Sequence, residues 1–216
     1  QVKSILYYSY FLILKNFSYK FQIMKTTSKA PSKKISNVEE KLLASAGELL
    51  ARYGPKAISN REIANHAGVN HGQIHHYFGS QRELLKKAIT KLAVEHWQRT
   101  NIEGYQPLGL GIDKTYITAI IRCAIDGDLD LATIELDQGL SVPRKITKEF
   151  YKDNLENIDK IEAKSRMAMI MSSEIAWALL EPYLIITLEI KDKEKEKVKN
   201  RIIEFISNFF NPSSHS

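Results

Sequence analysis

A single cysteine, Cys123, stands in a chain of 216 residues. One thiol excludes an intramolecular disulfide and any zinc site built from the cysteines of one chain, and it fits a reducing cytoplasm. Its flanks, IIRCAI, are apolar, so it reads as a small buried hydrophobe. No glycine-rich phosphate loop and no nucleophile elbow occurs, which removes two common enzyme signatures and leaves no cofactor to expect. No alternating run is long enough for a sheet, and no repeat period is visible, so the expected fold class is all-α. The first 24 residues contain no acid, seven Tyr or Phe, and an apolar run at 5–14. That run is about half the ~20 residues a membrane span needs, and no small-residue cleavage site comes after it. No membrane partner is therefore expected. Met24 followed by KTTSKAPSKK reads as a natural start with a flexible basic arm, residues 1–35 as a tail, and residues 1–23 as translated upstream sequence.

What is present concentrates between residues 59 and 85, SNREIANHAGVNHGQIHHYFGSQRELL. Ser59 stands three residues before Glu62, the spacing at which a hydroxyl caps a helix and the Glu reaches back to the cap amide. Ile63, Ala64 and Ala67 then form a small apolar face, and Gly68 supplies a position free to take positive φ in a sharp turn. Asn70 is a good N-cap for a second helix, in which Ile74 and Phe78 share a face and Gln73, His76 and Tyr77 point away. Ser80 and Glu83 repeat the capping spacing ahead of Leu84, Leu85, Ile89 and Leu92. Two short helices, a tight turn and a third helix start spell a helix-turn-helix.

At these residues the chain resembles the TetR/AcrR family of bacterial transcription regulators. Ile63, Ala64, Ala67, Gly68, Val69, Gly72, Tyr77, Phe78, Ser80, Leu84 and Leu85 match the family pattern in register. The departures are Ser59 for Thr, Asn70 for Ser, His75 for the first Tyr and Gln81 for Lys. The first two keep a capping oxygen, whereas the last two remove a phenol and a cation from the expected DNA face. The resemblance implies double-stranded DNA as partner, with Arg61, His71, Gly72, Gln73, His75 and His76 at the major groove. Ser59, Asn60, Tyr77 and Arg82 would then stand on the phosphates. Gln73 can pair with adenine and Arg61 with guanine. His71 and His75 are four apart, a spacing that could share a metal, and His66 and His76 are near. No Glu lies between them and no third ligand is placed, so base and phosphate contacts are the simpler reading, and no metal is expected.

Charge divides the chain in the same sense. Residues 1–100 carry 16 Lys and Arg against 6 Asp and Glu, and residues 101–216 carry 15 against 19, within a net +6. A basic front half attracts phosphates, though part of that excess is the Lys-rich arm. Ser36 and Glu39 form another capping box, and Val38, Leu42, Leu43, Ala46, Leu49, Leu50 and Tyr53 fall on a helical stripe that stops at Gly54-Pro55. Gly104, Pro107, Gly109 and Gly111 mark a loop after a long helix ending near Thr100, setting a reading domain at 36–100 apart from a second domain at 101–216. Further helices are expected at 114–125, 129–138, 144–157, 161–181 and 193–209, with Gly127, Gly139, Pro143 and Pro182 interrupting.

The last two helices are apolar on too many sides for a monomer surface. Met171, Ile175 and Leu179, with Ile202, Phe205, Ile206 and Phe209, are the candidate dimer face, because TetR-like proteins dimerise through their two C-terminal helices. Trp97, Tyr116, Ile120, Phe150, Met167 and Trp177 are the candidate lining of an effector pocket, against the plainer reading that they are core. The expected function is a cytoplasmic homodimeric repressor, not an enzyme, released from a palindromic operator by a small-molecule effector. The alternative is a ligand-independent architectural or division-control protein on the same fold.

Overall fold

The computed structural model describes residues 37–102, 113–153 and 158–207, and every regular element among them is helical. Helix α1, Asn37–Tyr53, buries Leu42, Leu43, Ala46, Leu49 and Leu50 at the three-to-four spacing of one face. Glu39 and Glu40 in its first turn and Arg52 in its last complement the helix dipole. Its Gly47 lets the helix that carries Leu92 approach closely, since a Cβ there would sit 3.1 Å from Leu92 Cδ1. The helix ends at Gly54, which takes φ +79 and donates its amide to Leu50 O at 3.0 Å. Ser36, the expected cap, lies outside the described residues.

Helices α2 (Asn60–Ala67) and α3 (Gly72–Phe78) come next, and α4 runs Gln81–Ile102. Beyond the linker come α5 (Lys114–Ile125), two single turns α6 (Leu129–Ala132) and α7 (Ile134–Asp137), and α8 (Val142–Asp153). The chain closes with α9 (Lys160–Thr187), a 3-10 turn at Asp192–Glu194, and α10 (Lys195–Ser207). The all-α expectation holds. The helix expected at 129–138 is divided at Thr133, whose hydroxyl bonds back to Leu129 O at 2.8 Å. Pro143 does not interrupt: it falls in the first turn of α8, where a missing N–H costs nothing. Pro182 lies inside α9, which continues to Thr187 instead of stopping at 181. The glycine-rich loop and Phe209 lie outside the described residues.

One core joins the first four helices to α5 and α6. Leu42, Leu50, Ile63, Ile74, Leu84 and Ile89 are fully buried in it, and Tyr116, Ala119, Cys123 and Leu131 from α5 and α6 belong to the same cluster. Each large apolar side chain among them stabilises the fold by roughly 1.5–3 kcal/mol. Burial pushes the Cys123 thiol up to about 11, as befits a packing residue. A second, smaller cluster holds Ile170, Trp177 and Ile206, flanked by Leu184, Val198, Ile202 and Ile203. By length and composition α9 could cross a membrane, with a mean hydropathy of 1.4 over its most apolar stretch, a test that core helices also pass.

Candidate nucleic-acid interface

The reading element is held by caps at both ends. Ser59 accepts the Glu62 amide at 3.3 Å, and Glu62 Oε2 takes both the Ser59 amide at 2.7 Å and the Ser59 hydroxyl at 2.8 Å. The Ser59 hydroxyl, followed by its amide, holds the Glu62 carboxyl below its ordinary value. Gly68, at φ 65, closes α2, with Val69 donating to Ala64 O and Gly68 to Asn65 O. The expected N-cap of α3 is Asn70, but that position falls to His71, which makes no side-chain cap bond; Asn70, one residue earlier, accepts the Gly72 amide on its Oδ1 at 2.9 Å. Ile74 and Phe78 are buried and anchor α3 on the core. With that face fixed, His71, Gly72, His75 and His76 are exposed and Gln73 and Tyr77 half-buried. Arg61 is exposed on α2, and Asn60 beside it has a buried Oδ1 without a partner among the described residues.

Three of these groups also have partners within the chain. His75 Nδ1 lies 2.9 Å from Gly79 O, so the ring closes the end of α3. The Ser59 hydroxyl, expected on phosphate, is spent on the cap. Arg82, also expected there, is turned toward Asp128 and lies 3.8 Å from Asp130. Gln81, where the family carries Lys, donates to Ile58 O at 2.7 Å and ties the start of α4 to the loop before α2. The sequence reading missed the acidic turn Asp126-Gly127-Asp128; its signal was the run DGDLD, three acids around a glycine. Among the described residues no three His, Cys, Asp or Glu side chains gather as for a metal ion.

The six residues expected to line a pocket are Trp97, Tyr116, Ile120, Phe150, Met167 and Trp177. A cleft of about 550 Å³ opens between α1, α4 and α5, lined by Leu43, Glu48, Lys91, Arg99 and Asp113 among others, and of the six only Tyr116 reaches it. Tyr116 is otherwise core: it stacks on His96 with ring centres 5.0 Å apart and donates its hydroxyl to Glu135. Ile120 packs against the core shared by the first four helices (the head, residues 37–102) with α5 and α6, while Met167 and Trp177 are buried and Trp177 belongs to the second cluster. Trp97 and Phe150 are half-buried, with Lys145 Nζ 4.6 Å from the Trp97 ring centre. On the expected dimer face Phe205 is 60% exposed and Met171 open, with Ile175, Leu179 and Ile202 half-buried. Ile206 is a correction. It is buried against Ile170 and Trp177 of its own chain, because its turn of α10 faces α9.

A capped helix, a left-handed glycine turn and a second helix seated by two buried residues while its polar side faces outward define a DNA-binding helix-turn-helix. Residues 42–88 match the family described as bacterial regulatory proteins, tetR family. The chain shares its fold with a transcriptional regulator from Rhodococcus sp. Rha1, at TM-score 0.54 and 20% identity over 78% of this chain and 95% of that one. A TetR family protein from Vibrio parahaemolyticus aligns at TM-score 0.44 and 18% identity, over 77% and 97% of the two chains. A TetR-family regulator from Streptomyces coelicolor A3 gives 0.36 and 18%, over 83% and 98%. No curated protein matches the chain.

Proposed function

We propose that this regulator is a cytoplasmic homodimeric repressor that reads an inverted-repeat operator through α3 and is released by a small-molecule effector bound within residues 101–216. The observation that carries the reading is the seating of α3: with Ile74 and Phe78 buried, Gln73, His76 and Arg61 remain on the outer side of the helix pair. A glutamine there can bond both N6 and N7 of adenine, an arginine O6 and N7 of guanine, and Gly72 leaves room for close backbone approach. Apolar side chains left open on α9 and α10, Met171 and Phe205 among them, supply the second half of the reading. Such helices call for a copy of themselves across a two-fold axis. A dimer of this kind puts two reading helices in successive major grooves, about 34 Å apart or a multiple of that. An effector favouring a different dimer geometry would mismatch that spacing.

A ligand-independent DNA-binding protein on the same fold is the second reading. It is favoured by the burial of Met167 and Trp177 in packing and of Tyr116 in the core shared with the head. Selection of bound duplexes from a randomised library, using the full chain, tests the common part of both readings. Recovery of an inverted repeat is the expected result, and binding without sequence preference would overturn it. Screening small molecules for release of the recovered duplex separates the two.

A further inference from the structure

Arg82 is the second residue of α4 and that helix's first cation, and it stands four residues beyond Phe78, where α3 ends. A guanidinium at the start of a 22-residue helix is placed for a phosphate, because the helix dipole and free amides favour an anion there. Its neighbour Gln81 carries no charge and is occupied with Ile58 O. Yet the guanidinium is held by the turn between α5 and α6: it donates to Asp128, and its Nη2 lies 3.8 Å from Asp130 Oδ2. Two carboxylates around one guanidinium offer the kind of oxygen acceptors that a phosphate diester offers.

The same turn meets the head at a second point. Asp126 Oδ2 accepts from the Lys56 amide at 3.5 Å and lies where a Cβ on Gly54 would be only 2.5 Å away. Two acids, Asp128 and Asp130, therefore sit at the helix start that comes after the reading helix with Arg82 drawn in between them, while Asp126 of the same turn lies against the loop after α1. The arrangement can open without unpacking the core. The Arg82 side chain is 39% exposed, and Asp128 keeps a separate task in accepting the Leu131 amide at 3.3 Å as the cap of α6.

We propose that the Asp128–Asp130 turn and the DNA backbone compete for Arg82, so that the chain carries an internal substitute for phosphate that restrains its own affinity. The proposal rests on the DNA-reading function above. When the duplex docks, Arg82 turns from Asp128 to a backbone phosphate, and the tie between the α5–α6 turn and the reading head is released. Any influence that tightens the tie lowers affinity without touching a base contact.

The test measures binding of the full chain to its selected duplex across a range of salt, for wild type, D128N, D130N, R82Q and the double variant D128N/R82Q. Competition predicts tighter binding by D128N and, to a smaller extent, D130N. In R82Q the fall of log affinity with log salt should be shallower by about 0.9, since one phosphate fewer is neutralised. The gains in D128N and D130N should vanish when Arg82 is already Gln, since no side chain is left to hand over. A gain that persists in the double variant would mean only that negative charge had been removed from near DNA, and would overturn the proposal. So would weaker binding at unchanged slope in D128N with no effect of D130N, the mark of a purely structural tie. D130N guards against a folding artefact, because the Asp130 side chain is 92% exposed. A wild-type chain that bound no duplex would overturn the functional reading itself, whereas a wild-type chain that bound and variants that matched it would overturn only the competition.

Discussion

The head and the C-terminal helix pair spend their apolar residues in opposite ways. In the head, Leu42, Leu50, Ile63, Ile74, Leu84 and Ile89 reach full burial from four different helices, so short elements close a core that none could close alone. In α9 and α10, Ile170, Trp177 and Ile206 are buried, while Ile161, Met169, Tyr183, Ile186 and Phe205 are each more than half exposed. The outer side of the reading element is polar and that of α9 is apolar. A polar surface over a closed core is built to meet water, ions or DNA, whereas an apolar surface over a small core is built to be covered.

The largest effect that would sharpen this contrast is on folding. Leu50→Ala should cost about 2–5 kcal/mol, as truncations in a closed core do. Phe205→Ala, at equal protein concentration, should cost much less. Urea titration of both variants compares them, and equal losses would break the distinction. Next, Phe205→Glu together with Met171→Glu should convert a dimer into a folded monomer, at about 2 kcal/mol or more if the pair includes an interface hot spot. Light scattering reads the mass, and far-ultraviolet circular dichroism checks that the helices persist. A wild-type chain that is already monomeric would remove the cover the comparison demands.

The polar side of the head gives a smaller effect. Gln73→Ala should cost about 1–3 kcal/mol on the preferred duplex and relax choice at one symmetric pair of positions, leaving thermal stability unchanged. Competition binding across single-base variants of the site measures it, and unaltered specificity would put another residue in the groove. The smallest effect concerns the carboxylate between the two regions. Burial raises Glu135 above its ordinary value, with the Ser141 hydrogen bond pulling the other way. For an acid shifted upward, the unfolded chain loses its proton first. The stability tied to the protonated form is therefore complete below the usual carboxylate range, near ~4.3, and fades as pH rises through the folded value. Glu135→Gln, which can still accept from the Tyr116 hydroxyl, should flatten that decline. Unfolding curves at pH 4 and pH 7 would show it.

The parts of this molecule that were readable from sequence are those set by neighbours three or four residues apart. The Ser59–Glu62 box, the Gly68 turn and the stripe of α1 from Leu42 to Leu50 depend on local spacing and formed where that spacing put them, whereas Tyr53 at the end of the stripe is exposed and the N-cap of α3 falls on His71 instead of Asn70. The partners of Ile206 and Arg82 within the chain were out of reach for the opposite reason. Periodicity says which residues share a face of α10 but not which helix comes to meet that face. Asp128, the partner of Arg82, is 46 residues away in the chain. The aromatic residues expected to line a pocket show the same limit: spacing marks Tyr116 and Trp177 as inward, and inward is equally true of a cavity wall and of solid core. Pro182 misled because α9 carries the proline in its interior, at the cost of one backbone hydrogen bond, and continues to Thr187.

The contact between His75 and Gly79 fixes more than the end of α3. A carbonyl oxygen can only accept, so the proton shared at 2.9 Å belongs to Nδ1, and the neutral ring is locked in one tautomer. Its other nitrogen, Nε2, is then a bare lone pair. A tyrosine at that position would bring a hydroxyl able to give or take a hydrogen bond; the histidine brings a group that only takes. Its natural complements in the major groove are the amino groups of adenine and cytosine, while guanine O6 and N7 and thymine O4 would face it lone pair to lone pair. If His75 stands in the groove as proposed, a hydrogen bond that closes a helix also sets the polarity of the free nitrogen of its neutral ring.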